Sequence, residues 1–141
     1  MDIFTRRLAM GAAGGKKSTY IEDVFKIDLW NGVSDAAHLV GTGIDYTKGG
    51  MVWNKKRNGT SNHVVIDSEN GPNKALFPNT NQNLNTITAG SAFTDNGFNW
   101  ASENNFHGNG TEQVSWNFRK EPGFFDVVTY TGDGVSGREI P

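Results

Sequence analysis

One stretch of the sequence determines the fold class, Val114-Ser-Trp-Asn-Phe-Arg-Lys-Glu-Pro-Gly-Phe-Phe-Asp-Val-Val-Thr-Tyr130. In its first half Val114, Trp116 and Phe118 alternate with polar residues, and this period of two is typical of a half-buried β-strand. Pro122-Gly123 then favours a type II turn, because proline fixes φ at the second turn position and glycine supplies the positive φ at the third. A second alternating run ends the stretch. The stretch therefore predicts a β-hairpin.

Turn signals of the same kind recur along the whole chain. Asn-Gly pairs begin at Asn31, Asn58, Asn70, Asn96 and Asn109, and Asp133-Gly134 is a similar pair. Each is a low-strain site for a primed hairpin turn. The candidate strands between them cover residues 24–30, 37–40, 51–55, 62–67, 75–77, 86–89, 97–101, 112–118 and 125–130. Short strands without a long 3.6-residue period predict an all-β protein, an antiparallel β-sandwich of concanavalin-like or jelly-roll type.

Length, cysteine content and charge narrow the class of protein. The 141 residues suffice for one domain with a single core, and the absence of cysteine excludes disulfides, thiolate zinc sites and a cysteine nucleophile. The formal net charge of -2 predicts neither a nucleic-acid partner nor an anionic membrane surface. No apolar run approaches the ~20 residues of a membrane span, and the polar start does not predict a secretory leader.

The first 17 residues differ from the rest and predict a docking arm, either a short helix or an extended segment. Its apolar residues would bury against a neighbouring protein and its arginines would pair with carboxylates there. A glycine-rich linker then leads to the domain, and the alternative is a disordered start. The predicted docking residues are Ile3, Phe4, Arg6, Arg7, Leu8 and Met10.

The β-sandwich domain is expected over residues 18–125. Trp30-Asn-Gly-Val-Ser34 is echoed by Gly132-Asp-Gly-Val-Ser136, so residues 126–141 are interpreted as the start of a following repeat or as a C-terminal strand. The alternative to a repeat is that the two short sequences are alike only because both form a turn.

The sequence contains no recognisable catalytic or metal-binding pattern, so we expect no catalytic residues, no metal and no cofactor. The three histidines are scattered and the carboxylates match neither a calcium loop nor a glycosidase pair. The candidate ligand site is Phe98, Asn99 and Trp100, since aromatic rings beside an amide can stack on a sugar and bond its hydroxyls. The alternative, which we favour, places Phe98 and Trp100 in the core.

The sequence from Ser115 to Gly132 resembles a segment that recurs in tail-fibre and other virion proteins of marine and cyanobacterial phages. The resemblance extends over about residues 20 to 141, although Lys26-Ile-Asp-Leu-Trp30 departs from a usually more Ser/Thr/Tyr-rich strand. Further matching stretches are Tyr20-Ile-Glu-Asp-Val-Phe25, Gly43-Ile-Asp-Tyr46, Gly49-Gly-Met-Val-Trp53, Asn73-Lys-Ala-Leu76 and Asn96-Gly-Phe98.

The resemblance implies a non-enzymatic structural protein of the phage virion, made in the host cytoplasm and located in the tail. It would be the N-terminal attachment part of a tail fibre or appendage, with adaptor, nozzle or baseplate proteins as partners. The resemblance to phage fibres also implies a homo-oligomer, and a trimer in particular. The alternative is a lectin-like module that contacts host glycans through Phe98, Asn99 and Trp100.

Overall fold

The computed structural model describes residues 9–10, 19–33, 37–87, 91–101 and 108–140. Every strand pair in these ranges is antiparallel, which confirms the prediction of an all-β, sandwich-like fold. A helix, α1 (Ile21–Val24), and a 3₁₀ turn, Tyr46–Lys48, interrupt the strands. The strands are β1 (Ala9–Met10), β2 (Thr19–Tyr20), β3 (Phe25–Asn31), β4 (Ala37–Gly41), β5 (Gly50–Lys56), β6 (Val64–Asp67), β7 (Lys74–Ala75), β8 (Asn85–Thr86), β9 (Ala92–Thr94), β10 (Gly97–Ala101) and β11 (Glu112–Arg119).

Two sheets enclose the core. The larger has the order β3-β11-β5-β6 and the smaller the order β4-β10-β9, while β1-β2 and β7-β8 form separate two-stranded pairs. Apolar side chains from both sheets meet in one cluster, as expected for two packed layers. The cluster contains Val52, Val64 and Ile66 from the large sheet, Val40, Phe98 and Trp100 from the small sheet, and Ile44, Tyr46, Ala75, Phe77 and Ile87 from other segments.

The predicted hairpin forms its turn but not its second strand. Gly123 has φ +76°, as the turn requires, and the amide of Glu121 donates to the carbonyl of Phe125 at 3.0 Å. Residues 126–130 then leave without joining a sheet. The prediction of a strand over 125–130 is wrong because β11 already pairs with β3 on one side and β5 on the other, so no edge is left for a hairpin partner.

The alternation in β11 is confirmed, yet the structure buries its polar face. Four polar residues point into the protein, whereas Val114, Trp116 and Phe118 are half-buried on the opposite side of the sheet. The period of two specifies that the faces differ and leaves open which of them is covered. The buried polar residues are Gln113, Ser115, Asn117 and Arg119.

The predicted docking arm is described in its last part. Ala9–Met10 pairs with Thr19–Tyr20, so a helix that reaches Met10 is wrong and this part of the arm is extended. An isolated helix of this length is marginal in water, and pairing with β2 gives the backbone an alternative. The other predicted docking residues, Ile3, Phe4, Arg6, Arg7 and Leu8, and the linker 11–18 lie outside the described residues.

Glycine rather than asparagine carries the positive φ values at the Asn-Gly turns. Gly71, Gly97 and Gly110 have positive φ, and no other residue type does within the described ranges. Type I′ turns need positive φ at both central residues, so Asn-Gly does not form the centre of a type I′ turn at these pairs. Gly97 is the most constrained of the three, because a Cβ on it would lie 2.0 Å from the carbonyl oxygen of Val40 in the neighbouring strand.

We predict that Gly97→Ala lowers the free energy of unfolding by at least about 3 kcal/mol, because β10 would have to move away from β4. Urea denaturation measures this loss. The matched control is Gly71→Ala, where φ is +89° and nothing lies within 4 Å of the added Cβ. It should cost about 1 kcal/mol, the strain of the left-handed backbone alone. Equal losses in the two variants would show that the close approach at Gly97 is not important.

Candidate functional site

The side of the large sheet that faces away from the core is mostly apolar, and we call it the outer face. Its side chains line up across the strands, because Trp116 of β11 lies opposite Ile27 of β3 and Trp53 of β5, and Trp53 lies opposite Val65 of β6. Side chains directly opposite one another on one face of a sheet are in contact range. The outer face consists of Phe25, Ile27, Leu29, Met51, Trp53, Val65, Val114, Trp116 and Phe118, with the charged residues Lys55 opposite Val114 and Asp67 opposite Met51 at its margins.

Much of this apolar surface is open to water. Leu29 is 64% exposed, Ile27 54% and Trp53 37%. An antiparallel sheet that packs on one side usually carries polar residues on the other, and a contiguous exposed apolar patch marks an interaction site. The outer face is therefore the candidate functional site.

Two tryptophans form the centre of the outer face. Their ring centroids are 6.1 Å apart and the ring planes meet at 60°. The indole Nε1 of Trp53 donates to Nδ1 of His63 at 3.0 Å, which holds the ring in this orientation. A shallow cavity of about 190 Å³ lies between Trp53, Trp116 and Phe118. Small-molecule pockets begin near ~300 Å³, so this cavity suits one large side chain.

The aromatic surface continues past the end of β11. The ring of Phe118 stacks on that of Phe125, with centroids 5.0 Å apart and planes inclined by 27°. On the other side Phe118 contacts Phe25 of β3 at a centroid distance of 5.0 Å. The turn at residues 122–124 thus returns Phe125 to the rim of the outer face.

The edge of the large sheet at β3 is protected. Lys26 and Asp28 alternate with the apolar residues of β3 and point to the inner side, and the Lys26 Nζ donates to the carbonyl of Thr42 at 2.7 Å. Charged residues that point inward on an edge strand oppose the addition of a further strand. This edge is therefore a poorer candidate for a contact than the outer face.

The inner side of β11 is held by a network of buried hydrogen bonds. The hydroxyl of Tyr46 donates to Oδ1 of Asn117 at 2.8 Å, and Nδ2 of Asn117 donates to Oδ2 of Asp28 at 3.1 Å. Further along the strand Nδ2 of Asn54 donates to Oε1 of Gln113 at 3.0 Å. Burial raises the pKa of Tyr46 above its ordinary value, so its hydroxyl stays neutral and remains a donor. These hydrogen bonds tie β11 to β3, to β5 and to the 3₁₀ turn.

The carboxylate of Asp28 is the charged member of this network. Partial burial raises its pKa, and the positive charge of Lys26 opposes that effect. The carboxylate accepts from Asn117 and has no metal-ligating partner, since within the described ranges no group of three or more His, Cys, Asp or Glu residues could hold a metal ion.

The predicted sugar-binding site is wrong at its two aromatic residues. Phe98 is 2% exposed and Trp100 1%, and both belong to the core cluster. Neither ring can stack on a sugar from solution, and the core alternative is correct. Asn99 lies between them in β10 with its side chain half-buried, opposite Leu39 of β4.

The outer face was missed by sequence reasoning, although the sequence contains a signal for it. In β3, Phe25, Ile27 and Leu29 alternate with Lys26 and Asp28, as the apolar residues of β11 alternate with polar ones. Two strands with this pattern can pair so that all their apolar residues share a face. Which face the core covers depends on the small sheet, and its position does not follow from these two patterns.

The histidines and the helix content add no further site. His38 packs near the ring of Trp30 and His63 near that of Trp53, and His107 lies outside the described residues. In the described part of the chain no helix has the length and hydropathy to cross a membrane.

Comparison with protein families matches residues 20–140 to the Domain of unknown function (DUF7483). The match runs through the strands of both sheets, the outer face and the residues that follow the last turn. No curated protein and no solved structure matches the chain.

We predict opposite pH dependences for Asp28→Asn and Asp45→Asn. Burial is the main reason why the pKa of Asp28 is raised in the folded state. The contribution of Asp28 to the free energy of unfolding is therefore fully present below its unfolded pKa and is lost as the pH rises through its folded pKa. Asp28→Asn should therefore gain stability relative to wild type between about pH 3 and pH 7. Chemical denaturation at a series of pH values measures both variants.

Asp45 is the control of opposite sign. Its pKa is lowered, first by a hydrogen bond from the side chain of Thr47, so its contribution is present above the unfolded pKa and lost as the pH falls. Asp45→Asn should lose stability relative to wild type over the same rise in pH. A parallel pH dependence of the two variants would contradict the assignment of Asp28 to the buried network.

Proposed function

Because the chain belongs to the DUF7483 family, whose description assigns no activity, we propose a function from its geometry: a non-catalytic structural domain that assembles by docking its outer face on another protein. The observation that carries the proposal is the contiguous exposed apolar surface around Trp53 and Trp116. We propose that this assembly is a phage virion, as the resemblance to tail-fibre and other virion proteins implies.

The energetics favour a covered outer face. Full burial of a large apolar side chain contributes about 1.5–3 kcal/mol, and Ile27, Leu29 and Trp53 are all substantially exposed. The cost of association is offset when such residues surround a well-packed centre. Trp53 and Trp116 supply that centre, since tryptophan is enriched among residues that dominate binding energies.

The composition of the outer face favours a protein partner over a glycan. Aliphatic side chains such as Ile27, Leu29 and Val114 offer sugars few hydrogen bonds, and the two tryptophan rings are inclined by 60° rather than coplanar. The glycan-binding alternative also loses its predicted contacts, because Phe98 and Trp100 are buried.

The proposed partners are other virion tail proteins, such as an adaptor, nozzle or baseplate component, and further copies of this chain. The N-terminal arm with Ile3, Phe4 and Leu8 would provide a second attachment. A homo-oligomer of three copies follows from the resemblance to phage fibres. Neither a nucleic acid nor a membrane belongs to this proposal, because the net charge of -2 provides no attraction to either.

We predict that Leu29→Ser weakens self-association of the full chain at least tenfold, which corresponds to about 1.4 kcal/mol of lost apolar burial. Sedimentation equilibrium over a range of protein concentrations measures the dissociation constant. The matched control is Leu39→Ser, since Leu39 is 50% exposed but lies on β4 of the small sheet. The control should associate like the wild type.

Two outcomes would contradict the proposal. One is that the wild-type chain stays monomeric at all concentrations and that an antibody against the domain does not bind purified phage particles. The other is specific binding on a glycan array that is lost in Trp116→Ala while the fold is kept, which would assign the outer face to a sugar.

A further inference from the structure

Residues 126–140 form an exposed segment that has strand-like sequence but no strand partner. After Phe125 the chain joins no sheet in the described residues, although the run from 125 to 130 alternates as a strand does. Tyr130 is 59% exposed. The other large apolar side chains exposed in this segment are Val128, Val135 and Ile140.

The exposed segment begins at the rim of the outer face. Phe125 stacks on Phe118, which lines the aromatic cavity, and Nζ of Lys120 lies 2.7 Å from Oδ1 of Asp126. These two contacts fix the start of the segment beside the apolar surface. The following side chains leave their own outer face uncovered, since Leu29, Ile27 and Trp53 all stay open to water.

We propose that the exposed segment of one copy lies on the outer face of a second copy, with Tyr130 inserted in the cavity between Trp53, Trp116 and Phe118. The inference rests on the proposed function, because it names the occupant of the same surface. A cavity of about 190 Å³ takes one large side chain. Tyrosine is among the residue types that most often anchor interfaces, because its ring is rigid and its hydroxyl can remain at a wet rim.

The reach and pattern of the segment fit an exchange between copies. Fifteen extended residues span up to about 50 Å, enough to leave one domain and cross a sheet of four strands at ~4.8 Å spacing. Val128 and Tyr130 are two residues apart and would point to the same side in an extended chain. Lys26 disfavours pairing of the segment with the β3 edge, so the outer face is the better place for it.

The contact joins two different surfaces, the segment of one copy and the outer face of another. Two copies could exchange their segments reciprocally in a dimer, or each copy could give its segment to one neighbour and accept that of another, which closes into a ring when the rotation permits. A trimer is one of the rings that this arrangement allows.

Two full-chain variants with separate defects provide the test. Tyr130→Ser removes the anchor and keeps the cavity, whereas Trp116→Ser alters the cavity and keeps the anchor. Each alone should raise the dissociation constant at least tenfold, and Tyr130→Phe should associate within about twofold of the wild type. Cooperative urea unfolding of each variant establishes that the fold is kept, and Leu29→Ser replaces Trp116→Ser if the latter unfolds.

Mixing the two defective variants distinguishes an exchange between copies from a contact within one copy. The cavity of the Tyr130→Ser chain can accept Tyr130 from the Trp116→Ser chain, so energy transfer between differently labelled variants should exceed that within either variant. Absence of this recovery would overturn the inference. Wild-type association by Tyr130→Ser would overturn it as well, while a weakened Leu29→Ser in the same experiment would leave the proposed function standing.

Discussion

The hydrogen bonds of Asn117 on the inner side of β11 constrain the segments that pack against the large sheet. Asn117 is fully buried at the centre of the large sheet, where it accepts from Tyr46 and donates to Asp28. Buried polar groups without partners cost about 1–3 kcal/mol each, so the segments that provide the partners must stay in place. The 3₁₀ turn that carries Tyr46 and the edge strand that carries Asp28 are thereby positioned around β11.

The same constraint produces the outer face. Successive residues of a strand point to opposite sides, so once Ser115 and Asn117 are inside, Trp116 and Phe118 are outside. The registers of β3 and β5 bring further apolar residues beside them, Ile27 and Trp53 among them. The buried polar residues of β11 and the exposed apolar outer face are therefore two sides of one strand arrangement.

Sequence reasoning predicted the strands because their signal is local. The alternation of apolar and polar residues identified β3, β5 and β11 to within a few residues, and Gly123 marked the turn that the structure contains. The side of β11 that is buried and the missing partner of residues 125–130 depend on sheet order, which is a long-range property. The favoured prediction that Phe98 and Trp100 lie in the core is confirmed, since both side chains of β10 are buried. The predicted arm lies mostly outside the described residues.

The order of strands in the large sheet has a consequence for how the chain is made. β11 is inserted between β3 and β5 and is the last of the four strands in sequence. During synthesis β5 and β6 can form a hairpin early, while β3 must wait for residues more than eighty positions later before it gains a ladder. The ribosome therefore releases β11 after the other three strands, and the large sheet is completed only when β11 inserts between β3 and β5.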